Sequence, residues 1–139
     1  MFDGKAVLLI EDEQATAPTV RAALGELGVS HAVVHVTDAD EALEMLRAES
    51  QGLPSVILLD GSQEQTNGLA VIKALKRDER FRSIPVITLA PSGDATVINK
   101  SFELGAAGYV VKSPNHEDFV AAVRAVHQYW TLSELPAGA

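Results

Sequence analysis

Five short apolar runs, each followed by a segment with helical spacing, constrain this chain more than any other feature. The runs are KAVLLI (5–10), HAVVHV (31–36), SVILLD (55–60), PVITLA (85–90) and GYVV (108–111). They are rich in Val, Ile and Leu and alternate little between apolar and polar residues. Strands buried on both faces of a parallel sheet look like this.

The segments between them predict helices. Over 16–27, Val20, Leu24 and Leu27 fall at helical spacing, and Pro18 sits near the start, where its missing N–H costs least. Over 38–49, Thr37 or Asp38 caps a helix with Asp40 or Glu41 three residues on, and Leu43 and Leu46 carry its stripe. Over 68–77, Leu69, Ile72 and Leu75 or their neighbours turn inward. The segment 94–104 is the least apolar, and Gly105 reads as its stop. The last helix, about 116–130, takes Asn115 as its cap and Phe119, Val123, Val126 and Trp130 as its stripe. Strand–helix alternation of this kind predicts an α/β fold: a single five-stranded parallel sheet flanked by five helices, doubly wound, with right-handed crossovers. One domain over 1–132 and a loose tail over 133–139 are expected.

Composition removes several function classes. The chain has no cysteine, hence no disulfide framework and no thiol nucleophile, which favours a reducing compartment. No apolar run approaches the ~20 residues of a membrane span. The start, MFDGKAVLLIED, lacks a basic region and a cleavage site, so a cytoplasmic protein is expected. A net charge of -8 argues against a nucleic-acid surface, which needs clustered Lys and Arg. KALKRDERFR reads as a solvated face of mixed charge, the four histidines as surface or strand residues, and Gly105 and Gly108 as turn glycines.

In open α/β sheets ligands bind beyond the carboxyl ends of the strands. Glu11 and Asp12 follow the first run, Asp60 ends the third, Thr88 lies near the end of the fourth, and Lys112 follows the fifth. Parallel neighbours would bring all five to one edge. Three carboxylates together repel, and a hard divalent cation such as Mg²⁺ relieves that repulsion. A lysine and a hydroxyl beside them suit the oxygens of a phosphoryl group, so the set fits phosphoryl transfer to an aspartate. Taken singly, the acids also read as solvated loop residues, and Asp60 as a turn aspartate.

The blocks VLLIEDE, VILLDG, NGLAVIKALKRD, IPVITLA and GAAGYVVKS resemble those of response-regulator receiver domains, over nearly the whole chain. The resemblance implies a flavodoxin-like fold with Asp60 as phospho-acceptor. It implies Asp12 as direct Mg²⁺ ligand, Glu11 as its water-mediated partner and the Ser62 carbonyl as a further ligand. Thr88 is then the hydroxyl that moves toward the phosphate, Lys112 the pairing amine and Tyr109 the switch aromatic. The tail HQYWTLSELP is similar to that of stand-alone regulators serving bacterial phytochrome kinases. The chain departs from the family with Glu64 where a proline is usual, with Ser113 between Lys112 and Pro114, and with Ala90 two residues past Thr88.

The expected function is phosphoryl acceptance from a sensor histidine kinase, followed by signalling to a downstream protein, with no separate enzymatic output. A receiver-like scaffold that does not accept phosphate is the second reading. An aspartate-nucleophile phosphatase is the third, weakened because Ser62 stands where that chemistry needs an acid. Tyr129, Trp130, Leu132 and Leu135 predict an apolar cluster on the last helix and tail, closed either by a homodimer or by the tail folding back.

Overall fold

The computed structural model describes residues 6–11, 20–28, 33–48, 52–60, 68–90, 95–112 and 115–132. The elements run β1 (Val7–Ile10), α1 (Val20–Glu26), β2 (Val33–Val36), α2 (Ala39–Ala48), β3 (Val56–Asp60), α3 (Gly68–Arg77), β4 (Val86–Ala90), α4 (Ala95–Glu103), β5 (Gly108–Val111) and α5 (His116–Leu132). The sheet is parallel throughout, in the order β2-β1-β3-β4-β5. This is the expected doubly wound, flavodoxin-like architecture, and α5 runs two residues past its predicted end.

Pleat alternation divides the core into two layers. Leu8, Ile10, Val36, Ile57, Leu59 and Val86 pack under α2 and α3 with Leu46, Ile72 and Leu75. Val7, Leu9, Leu58, Ile87 and Leu89 pack on the other face under α1 and α5 with Leu24, Phe119 and Val123. The central strands are therefore buried on both faces, and β1 and β4 are buried throughout. At the two sheet edges β2 and β5 are mostly half-buried, because each has one strand neighbour instead of two.

The helix ends follow local chemistry. Asp38 Oδ1 accepts the Glu41 N–H at 2.8 Å, and Glu41 Oε2 accepts the Thr37 N–H at 3.4 Å. Asp38 is thus the cap of α2, and Glu41 reaches back to the residue before it. Asn115 Oδ1 accepts the Asp118 N–H at 3.1 Å, as predicted for α5. After α4 the Gly105 N–H bonds Phe102 O and the Ala106 N–H bonds Ser101 O, each at 3.0 Å. That pair of bonds is a Schellman end, and Gly105 supplies its positive φ of 110°.

Two expectations are corrected. Gly108 is not a turn glycine but opens β5 opposite Ile87; a Cβ there would lie 3.0 Å from Ile87 Cδ1, so the missing side chain makes room for that isoleucine. The segment KALKRDERFR is only partly solvated. Leu75 and Phe81 are buried, and Ile84 just beyond it joins them in the core. Lys76 Nζ donates to Arg82 O at 2.8 Å and Ile84 O at 2.7 Å, and its stem lies where a Cβ on Gly105 would fall. Burial pushes the Lys76 ammonium below the usual lysine range.

Candidate functional site

Strand register assembles the site. Ile10 pairs with Leu59, so Glu11 stands level with Asp60. The Glu11 N–H donates to Val36 O at 3.0 Å and carries the β1–β2 ladder one residue past the strand. Leu59 pairs with Thr88, and Thr88 with Tyr109. The Lys112 N–H donates to Ala90 O at 2.6 Å, carrying the β4–β5 ladder beyond Val111. Four neighbouring strands thus bring Glu11, Asp60, Thr88 and Lys112 to the carboxyl edge of the sheet, where ligands bind in folds of this type. Tyr109 stands beside Thr88 on the same pleat face, half-buried.

Burial sets these residues apart from ordinary strand-end polar groups. Glu11 is 4% exposed, Thr88 5% and Lys112 4%. Solvated loop acids and a surface lysine would not be so enclosed, since Lys and Glu are almost never fully buried without partners. Glu11 has such a partner: its Oε2 accepts the Val20 N–H at 2.8 Å. The Thr88 hydroxyl is different. Its Oγ1 is the one buried side-chain polar atom among the described residues that lacks a hydrogen bond. A buried hydroxyl left unpaired costs ~1–3 kcal/mol, so its position fits a group that arrives to pair with it.

Asp12 and Ser62 lie outside the described residues, as do Glu64, Ser113, Pro114 and Leu135. The backbone of Asp60 is described, and so are those of Tyr129, Trp130 and Leu132, but their side chains lie outside the description. Among the described residues no three acidic, histidine or cysteine side chains converge on one point. The Glu11 carboxylate, a hard oxygen donor enclosed at the sheet edge and level with Asp60, fits the donor chemistry of a hard divalent cation.

One strand residue of β2, within the expected reading, carries a contact that the sequence did not announce: His35. Its Nε2 lies 3.0 Å from the carbonyl oxygen of Glu11, which ties β2 to the acidic end of β1. The available signal was a polar ring inside the otherwise apolar VVHV run, one strand away from Glu11.

Residues 7–124 match the response regulator receiver domain family. The chain belongs to that family. Among curated relatives this receiver is similar to a probable methanogenesis regulatory protein, FilR2, of Methanothrix harundinacea, 31% identical over 127 residues that span 89% of this chain and 82% of the relative. It is also similar to response regulator Rcp1 of Synechocystis, 28% identical over 130 residues, 91% of this chain and 88% of that protein. The Mn²⁺-bound structure of Rcp1 superposes with a TM-score of 0.80 at 27% identity, covering 96% of this chain and 99% of that one. The phosphorylated cyanobacterial phytochrome response regulator RcpA superposes equally well, with a TM-score of 0.80 at 31% identity and the same coverage. No helix among the described residues of this receiver is long and apolar enough to cross a membrane.

Proposed function

We propose that this receiver acts by itself, accepts a phosphoryl group on Asp60 from a sensor histidine kinase, and signals through an altered protein-contact surface. The buried, unpaired Thr88 hydroxyl carries this reading. In the transfer an Asp60 carboxylate oxygen forms a bond to phosphorus while the phosphorus–nitrogen bond to the kinase histidine breaks, and the released imidazole takes up a proton. The Lys112 ammonium pairs with one phosphoryl oxygen, and the Thr88 Oγ1–H donates to another. Glu11, Asp12, Asp60 and the Ser62 carbonyl would hold Mg²⁺, which supplies neutralising charge to the phosphoryl oxygens when bound. The likeness to manganese-bound Rcp1 supports a divalent site of this kind, and the likeness to RcpA supports a phytochrome as the kinase.

The switch then has a direction. Drawing the Thr88 hydroxyl toward Asp60 opens space on its own pleat face beside Tyr109, and α4 lies next to β5 on that side. Among the described side chains of α4, Ser101 is the one that is buried, and the coupling is expected to reach this helix through its contact with β5. Beryllofluoride, which mimics the phosphoryl group, tests the coupling. Added with Mg²⁺, it is expected to shift the Thr88 and Tyr109 resonances and to change amide exchange over 95–105. Unchanged exchange and unchanged Thr88 shifts at proven saturation would refute it.

Phe102 on α4 and Val111 at the end of β5 are each 48% exposed, the two large apolar side chains so exposed among the described residues. They are apolar surface on the two elements, α4 and β5, that neighbour each other at the β5 edge of the sheet. A symmetric homodimer through α4, β5, α5 and the tail follows, with the two-fold axis burying the patch against its own copy. Sedimentation at tens of micromolar is expected to give a dimer for the full chain and a monomer for Trp130→Ala and for truncation after Gln128. A dimer indifferent to both changes places the interface elsewhere.

A further inference from the structure

We propose that His35 is a positioning residue for the divalent-cation site, acting through the main chain of Glu11; the proposal rests on the receiver chemistry assigned above. His35 is the register partner of Leu9, yet its Nε2 reaches the Glu11 carbonyl at 3.0 Å. A carbonyl oxygen only accepts, so Nε2 carries the proton in this contact. Glu11 is thereby held at three atoms. Its N–H donates to Val36 O at 3.0 Å, its carbonyl accepts from His35 at 3.0 Å, and its carboxylate accepts the Val20 N–H at 2.8 Å.

The carbonyl contact matters most for the cation. That carbonyl is the main-chain end of Glu11, so the contact holds in place the residue whose carboxylate is assigned to the cation, directly or through a water. Mg²⁺ demands near-octahedral geometry at about 2.0–2.1 Å and tolerates drift poorly. Strand formation does not call for an imidazole here, since valine occupies the other three positions of β2 and suits a strand better. The ring, half-buried on the sheet's edge strand, provides a donor to the Glu11 carbonyl, just past the last β1–β2 ladder bond from the Glu11 N–H.

The test compares wild type, His35→Phe and His35→Gln. Phenylalanine keeps a ring and strand propensity but has no donor; glutamine loses the ring but keeps a side-chain N–H. Mg²⁺ dissociation constants come from NMR titration, and unfolding midpoints are measured without metal. His35→Phe is expected to bind Mg²⁺ roughly 10-fold more weakly, the lower end of the usual effect of an outer-shell partner, with an unfolding midpoint near that of wild type. His35→Gln is expected to recover most of the affinity. Wild-type affinity in His35→Phe overturns the positioning role alone. Affinity lost in both variants, in step with their unfolding midpoints, shows a merely structural residue and overturns it as well. A wild-type chain that does not bind Mg²⁺ overturns the receiver-site reading and this proposal together.

Discussion

Phe119→Ala is expected to cost about 3–5 kcal/mol, the range for removing a large buried aromatic ring. Phe119 is fully buried, at 0% exposure, among Val7, Leu9, Leu24, Leu58, Ile87 and Leu89, where α5 meets the sheet beside α1. Total stability of a domain this size is about 5–15 kcal/mol, so the variant loses a large share of it. A fall of about 10–20 °C in the thermal midpoint corresponds to that loss. Glu44→Ala is the control. Glu44 is exposed on α2, away from the proposed dimer surface, and its truncation should stay within about 0.5 kcal/mol, as surface substitutions do. Equal shifts for the two variants would mean that α5 does not close the second core layer.

The order of elements was legible because the central strands are enclosed on both faces. Such strands need apolar residues at every position, and VLLI and VITLA carry them almost without a break. Helix ends were legible where a side chain or a glycine does local work, as at Asp38, Asn115 and Gly105. Tertiary packing decided the misreadings. Phe81 and Ile84 sit in a polar stretch with no periodicity, yet the turn after α3 folds them back into the core. Lys76 reads as a surface cation, but two main-chain carbonyls lie within its reach. Gly108 lacks a side chain for the sake of Ile87, a residue on another strand. At the site, spacing placed Glu11, Thr88 and Lys112 at one sheet edge, since parallel register turns sequence position into height along the strands. The His35 contact was hidden because it joins two residues on different strands, far apart in sequence.

Asp60→Asn is expected to abolish phosphorylation altogether. An amide has no carboxylate oxygen to attack phosphorus, and the substitution also removes one of the negative charges that would hold Mg²⁺. The fold should persist, because Asp60 is the last residue of β3 and the strand's buried residues, Val56 to Leu59, are unchanged. Far-ultraviolet circular dichroism and an unfolding midpoint near that of wild type check this separately. Whether this chain is a phospho-accepting receiver is tested most directly by intact mass after incubation with acetyl phosphate, which supplies the phosphoryl group without a kinase. Wild type with Mg²⁺ is expected to gain a single phosphoryl adduct, and to gain none when the metal is chelated. Folded Asp60→Asn is expected to gain none under either condition. An unmodified wild type with Mg²⁺ present, or an adduct of equal yield on Asp60→Asn, would contradict the assignment.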